Sequence, residues 1–312
     1  MLQTPVAPHG RFAAQPGPLA FSGSTTHSAR MKNTLLALGC GYSAKALSRR
    51  LIPQGWHVLG TIRDMAGEDE LREEGITPVP WDAETVTAAL SEATHLLITA
   101  GPGDIGDPSL ALCAEAIAEH GPRMEWIGYL STTGVYGDHG GDWINEDTPL
   151  RPSTPRGQKR LEAERNWSAI PDLPLHIFRL AGIYGPGRGP FAKLRSGKAR
   201  RIIKPGQVFS RIHVDDIAQV LEASIRQPSP GSAYNLCDDD PAPPQDVIAF
   251  AAELIGLPVP PAIPFEEAEM TPMARSFYAE NKRVSNRRIK DELGVELFYP
   301  DYRAGLRAEV KG

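Results

Sequence analysis

The chain has 312 residues, a formal net charge of −5 and 41% hydrophobic residues. These values suit a soluble globular protein with one large or two moderate domains and a substantial core. They give no basis for wholesale nucleic-acid binding, and no apolar run is long enough to cross a bilayer. Cys40, Cys113 and Cys237 are scattered, with neither metal-type nor redox-type spacing. Such usage points to a reducing cytoplasm, no disulfides and no metal site.

Residues 1–30 contain no Asp or Glu and are rich in Pro, Gly, Ser and Thr. That composition predicts a disordered tail. Met31 stands just before the first strand, so translation from it would make the tail an upstream-start artefact. A transit peptide fits less well, because only Arg11 and Arg30 are basic and the prolines would break an amphipathic helix.

The first ordered element is a short apolar strand, Thr34 to Leu38. It runs into G-x-G-x-x-A, written as Gly39, Gly41 and Ala44, and then into a helix expected from Ser43 to about Gln54. This is the strand–turn–helix context of a dinucleotide fingerprint. Gly39 allows the tight turn, Gly41 lets a pyrophosphate approach the backbone, and Ala44 lets the helix pack close. Tyr42 and Ser43 open the helix whose N-terminus faces the phosphates. Cys40 lies within the turn and reads as a small tolerated residue.

Further strands are expected at Trp56–Thr61, Ile76–Trp81 (weakened by two prolines), His95–Ala100 and Trp126–Ser131, with helical spacing from Leu110 to His120. Alternation of this kind predicts an α/β fold, a doubly wound parallel sheet with helices on both faces. Ligands of such sheets bind at the carboxyl ends of the strands. Ala100 and Gly101, ending the fourth strand, are therefore expected to line the cofactor site. At the end of the second strand an NAD site usually carries an acidic residue. Here stand Thr61 and Arg63, a hydroxyl and a guanidinium suited to a 2′-phosphate, which favours NADP over NAD. In the alternative, Arg63 is a solvated charge and Asp64 takes the ribose. Asp82, past the third strand, is a candidate for the adenine amino group or else a loop cap.

The second half offers a strand from Ile177 into a Gly/Pro turn, a strand at Arg211–Val214 and another at Ala233–Cys237. Asp215 or Asp216 suits the N-cap of the helix after the second of these. Lys193 to Lys204 carries six basic residues in twelve. It reads equally as a solvated basic helix face or, with Arg188 and Arg211 flanking it, as a surface for an anionic substrate.

Together these segments resemble the extended short-chain dehydrogenase/reductase superfamily, its NAD(P)-dependent epimerase/dehydratase group. The matching stretches are G-C-G-Y-S-A at 39–44, L-S-T-T-G-V-Y-G at 130–137, R-L-A-G-I-Y-G-P-G at 179–187, R-I-H-V-D-D-I-A at 211–218 and Y-N-L-C-D-D at 234–239. The resemblance implies a Rossmann core over residues 31–180. It implies a smaller substrate lobe over 181–312, with strands returning to the core, and an NADP or NAD cofactor. A small-molecule substrate is implied, and a homodimer is compatible with the class.

The family chemistry uses a Tyr base, a Lys four residues later and a Ser or Thr on the fifth strand. Thr132 matches the hydroxyl position, with Ser131 beside it. The stretch that should read Y-G-x-S-K-x-x-A-E instead reads R-G-Q-K-R-L-E-A-E from Arg156 to Glu164. Arg156 stands at the Tyr position and Arg160 at the Lys position. A shift of one residue rescues Lys159 but puts Pro155 where the phenol belongs. Arg cannot be deprotonated in a protein, so Arg156 is no general base. Arg160 is then expected at the nicotinamide ribose, and Arg156, Arg188 and Arg211 at an anionic substrate. Tyr136, Tyr184 and His213 are the substitute acid/base candidates. Three readings remain: an oxidoreductase or epimerase on a hydroxyl or carbonyl carbon of a small anionic or nucleotide-linked substrate; a non-catalytic NADP(H)-binding redox sensor; and, compatible with either, an Arg156/Arg160 pair that is structural on a helix that simply packs.

Overall fold

The structure, a computed structural model, describes residues 33–311. The tail and the start at Met31 lie outside the described residues. Seven strands build the main sheet: β1 (Thr34–Leu38), β2 (His57–Ile62), β3 (Thr77–Pro80), β4 (His95–Ile98), β5 (Trp126–Thr132), β6 (Leu175–Leu180) and β7 (Ala233–Leu236). All pair in parallel, in the order β3-β2-β1-β4-β5-β6-β7. Leu36 of β1 aligns with Leu59 of β2 and Leu96 of β4. β1 is buried along its whole length, as a strand covered on both faces must be. Pro78 and Pro80 survive in β3 because it is an edge strand, with one neighbour to satisfy.

The main helices are α1 (Tyr42–Leu51), α2 (Ala83–Glu92), α3 (Pro108–His120), α4 (Pro155–Ser168) and α5 (Val214–Arg226). Leu47 of α1 and Ile217 and Leu221 of α5 share one core with Val58 and Phe178. Val86, Leu90, Ile117 and Trp167 pack α2, α3 and α4 into a second core with Leu36 and Ile127. The sheet is thus doubly wound, and its strand order turns back between β1 and β4. That switch point is where an open α/β sheet forms its ligand crevice. A third core joins Phe191 and Leu194 to α6 (Pro244–Leu254) and α7 (Tyr302–Lys311), through Val247, Ala251, Tyr302 and Leu306.

Two local expectations are corrected. The N-cap of α5 is His213, whose ring nitrogen accepts from the Asp215 N–H at 3.2 Å. Asp216 is buried and instead accepts from the N–H groups of Phe298 (2.7 Å) and Tyr299 (3.1 Å). It therefore anchors the segment leading into α7, and burial raises its carboxyl to about 6. The basic stretch is not a single helix face either. It comprises a short helix (Phe191–Arg195), a turn at Gly197 and a strand (Arg201–Ile203). Arg200 donates to the carbonyl of Glu269 at 2.5 Å, Arg201 to that of Pro260 at 3.4 Å, and Lys204 to that of Tyr278.

Among the described residues, no helix is long and apolar enough to cross a membrane, and no group of His, Cys, Asp and Glu is arranged to hold a metal ion.

Candidate active site

The turn after β1 is built to leave backbone donors open. Gly39 adopts φ +91°, and a Cβ there would lie 2.9 Å from Thr99 Oγ1 and 3.0 Å from the Ala100 nitrogen. Its N–H donates to Thr61 Oγ1 at 2.7 Å, and its carbonyl accepts from the Thr99 hydroxyl. Gly41 is the N-cap of α1 and supplies no capping side chain, and the first turn of α1 holds no acidic residue. A Cβ on Gly41 would meet no atom within 4 Å. Among the described residues no side chain caps the first-turn N–H groups, at Tyr42, Ser43 and Ala44, which leaves them to receive an anion. These residues fit a dinucleotide pyrophosphate.

Thr61 needs correction as a ligand for a 2′-phosphate. It is 2% exposed, and its hydroxyl is spent on the Gly39 N–H and on the Ala37 carbonyl at 3.2 Å. Its role is to hold the glycine turn. Arg63 is exposed, with its guanidinium 5.8 Å from the centroid of the Trp81 ring. Asp64 accepts from the Ala66 N–H at 3.0 Å and so closes a local turn. Asp82 is the N-cap of α2, bonded to the N–H (3.0 Å) and hydroxyl (2.7 Å) of Thr85, which hold its carboxyl below the usual range. Of its two expected roles, the structure displays the cap.

Successive residues of a strand face opposite sides, and this separates Ser131 from Thr132. Ser131 is 3% exposed and donates to Glu164, so it is corrected from a catalytic candidate to a buried support. Glu164 also accepts from Arg179 at 3.0 Å. Arg179 in turn donates to the Tyr136 hydroxyl at 2.9 Å, which donates to Asn235 Oδ1 at 2.8 Å. Thr132 ends β5 half-buried, and its Oγ1 accepts from the Gly134 N–H at 3.2 Å.

α4 begins under a Thr154 cap with Pro155 at its first position. Gly157 packs against β5's exit: a Cβ there would lie 2.6 Å from the Gly134 carbonyl oxygen. Arg156 is therefore held beside the Thr132 end of the sheet. Its guanidinium lies 5.6 Å from the Phe277 ring centroid. The residue is exposed, and partial desolvation of the guanidinium, then the charges of Arg160 and Arg188, push its pKa below the ordinary arginine value. Arg160 donates to the Leu130 carbonyl (2.7 Å) and the Tyr129 hydroxyl (3.3 Å), and its Nη2 lies against Gly101. Lys159 pairs with Asp104, so it is committed elsewhere. Arg188 lies over the Tyr42 ring, 5.7 Å from the centroid.

The remaining candidates have partners of their own. Arg211 donates to the carbonyls of Phe209 (2.8 Å) and Ala242 (3.1 Å), which ties two loops together, a correction to its substrate role. The Tyr136 hydroxyl is consumed in the Arg179 network, and burial lifts its pKa to about 12. Tyr184 is buried and raised further. His213 is the buried cap of α5, packed on Tyr299. The Tyr136 hydroxyl and His213 Nδ1 are thus engaged within the protein. The sequence reading missed Glu164, Arg179 and Phe277. A lone Arg inside the buried strand L-H-I-F-R-L called for a buried carboxylate partner, and the inward face of α4 carried one.

No protein-family model matches the chain. Protein YeeZ of Escherichia coli (strain K12) is 30% identical over 280 residues, covering 85% of this chain and 95% of that protein. The structure of a functionally unknown conserved protein from Silicibacter pomeroyi is 59% identical, with a TM-score of 0.87 over 90% of this chain and 99% of the other. A Methylobacillus flagellatus structure, provisionally described as an NAD-dependent epimerase/dehydratase, is 26% identical, with a TM-score of 0.68 over 90% and 98% of the two chains. The chain belongs to the NAD(P)-dependent epimerase/dehydratase group of the extended short-chain dehydrogenase/reductases.

Proposed function

We propose that the protein is an NADP(H)-dependent oxidoreductase or epimerase-type enzyme acting on a hydroxyl or carbonyl carbon of a small anionic substrate. One observation carries this reading. The helix that follows the glycine turn at the carboxyl end of β1 begins with an uncapped, acid-free N-terminus, the half-buried Thr132 ends β5 of the same sheet, and Arg156 and Arg188 have no carboxylate partner among the described residues. Gly39, Gly41, Tyr42, Ser43 and Ala44 would hold the pyrophosphate, Ala100 and Gly101 the ribose side, and Arg63 the 2′-phosphate. A nicotinamide bound there would supply or accept a hydride. Thr132 would orient the substrate oxygen. Arg160 keeps the ends of β4 and β5 together. Residues 181–312 would contribute the substrate-binding part.

Arg63→Ala is expected to weaken NADPH by about tenfold or more while leaving NADH nearly unchanged, as loss of a charge-assisted phosphate contact requires. Cofactor fluorescence titration measures both, and equal effects would remove the NADP preference. Thr132→Ala is expected to lower turnover about 10²-fold without altering NADPH affinity. Turnover indifferent to that change would refute the site. A second reading, a redox sensor that binds NADP(H) without turnover, draws on the burial of Tyr184 and the engagement of Tyr136 and His213 in other hydrogen bonds. Tight NADPH binding with no turnover across hydroxy and oxo acids would select it.

A further inference from the structure

The turn Gly185-Pro186-Gly187-Arg188 belongs to the C-terminal half of the chain and closes on the first residue of α1. The Tyr42 hydroxyl donates to the Pro186 carbonyl at 3.0 Å, and the Arg188 N–H donates to the Gly185 carbonyl at 2.9 Å. The approach is close enough to demand glycine. Gly185 has φ +143°, and a Cβ there would lie 2.6 Å from the Tyr42 hydroxyl oxygen and 2.9 Å from Val214 Cγ1. The Arg188 guanidinium lies over the Tyr42 ring, 5.7 Å from its centroid. Tyr42 therefore meets this turn twice, through its hydroxyl and through its ring.

Tyr42 is also the residue at which α1 begins. The ring that carries the guanidinium is thus the side chain of a residue whose own N–H is assigned to the cofactor pyrophosphate. Among the described residues Arg188 has no ion pair, and its side chain donates no hydrogen bond. The first turn of α1 holds no acidic residue to answer it. A cation beside a helix N-terminus meets the positive end of the dipole, an unfavourable placement that a bound anion reverses. A guanidinium fork suits the paired oxygens of a phosphate, and the ring beneath it fixes its plane beforehand. Arg63 serves another part of the cofactor in the proposed reading: it follows β2 and lies over Trp81.

We infer that Arg188 is a cofactor-binding residue, the cation of a clasp that the turn 185–188 folds over the pyrophosphate at the N-terminus of α1. Tyr42 is its platform, a positioning residue. This rests on the proposed cofactor-dependent reading, and it moves Arg188 from the substrate, where the sequence alone set it, to the dinucleotide. The pyrophosphate is then held by two parts of the chain: the backbone N–H groups of α1 and a side chain from the C-terminal half. Every nicotinamide dinucleotide carries that pyrophosphate. Arg188 therefore adds affinity without choosing between NADP and NAD, a choice left to Arg63.

The test is fluorescence titration of the full chain with NADPH and with NADH, at low and high salt. Arg188→Gln is expected to weaken both cofactors about tenfold, by the same factor. Arg188→Lys keeps the charge but not the fork and should fall between wild type and Gln. The loss of NADPH affinity on adding salt should be smaller in Arg188→Gln than in wild type. Tyr42→Leu removes the platform and should weaken both cofactors about threefold, while Tyr42→Phe, which keeps the ring, should do so less. The melting temperature of cofactor-free Arg188→Gln should match wild type, as expected for an exposed, unpaired side chain. Unchanged affinity for both cofactors in Arg188→Gln would overturn the inference and leave the cofactor reading standing. A loss confined to NADPH would overturn it too, by placing Arg188 at the 2′-phosphate. A wild-type chain that binds neither cofactor would overturn the cofactor reading itself, and the clasp with it.

Discussion

Arg179→Met is expected to cost about 3–5 kcal/mol of folding stability, because it strands a carboxylate in the core. Arg179 is 6% exposed and Glu164 3%. Glu164 receives two donors from the guanidinium, at 3.0 and 3.3 Å, and a third from Ser131. Removing the cation leaves the anion with one hydroxyl and no counter-charge. The pair joins β6 to α4, and Ser131 brings in β5, so the damage lies directly beneath Thr132 and Arg160. Urea denaturation should show a lower midpoint at an unchanged slope. The double variant Arg179→Met with Glu164→Gln should recover part of the loss, since the buried charge is then gone. A single-variant cost below about 1 kcal/mol would mean that water reaches Glu164 and that the network is not a dry anchor.

The legible parts of this fold are those written in local pattern. β1, β4 and β5 are largely apolar runs because both faces of a parallel sheet are covered, and the turn after β1 demands glycine at Gly39, where φ is +91° and a Cβ would lie 2.9 Å from Thr99 Oγ1. The strand β3 was legible in spite of its prolines, and its edge position explains why they are tolerated. The site was less legible because the partners that commit each polar side chain are distant in sequence. Thr61 reaches back to Gly39 and Ala37 across two strands, and Arg211 meets Ala242. Arg200, Arg201 and Lys204 find their carbonyls 69, 59 and 74 residues away. A run of charge shows that such residues exist, not which of them remain free. Ser131 is the exception, since the two-residue period of β5 already forbids both Ser131 and Thr132 from facing the same ligand. What the sequence did display of the chemistry is the run R-G-Q-K-R from Arg156 to Arg160, and the structure shows which of its charges are committed: Lys159 to Asp104, and Arg160 to Leu130 and Tyr129.

The decisive test of the cofactor site is a substitution that moves stability and binding in opposite directions. Gly41→Asp is expected to leave folding unchanged or raise it by about 0.3–1 kcal/mol, while lowering NADPH affinity about 100-fold or more. Gly41 has φ −98° and ψ −160°, extended backbone that any residue adopts. Beyond its chain neighbours, nothing lies within 4 Å of the Cβ it would gain, so the side chain starts into open space. As N-cap, the carboxylate would accept from the uncapped first-turn N–H groups and complement the helix dipole. Those are the donors a pyrophosphate needs, and a like charge placed among them costs a bound phosphate several kcal/mol. Gly39→Ala serves as the contrast. At φ +91°, with a Cβ 2.9 Å from Thr99 Oγ1, it should lose stability and binding together. Thermal melts with and without NADPH, alongside fluorescence titration, read both quantities. A Gly41→Asp protein that binds NADPH as tightly as wild type would remove the pyrophosphate from the N-terminus of α1, and the assignment of this crevice as the dinucleotide site would fall with it.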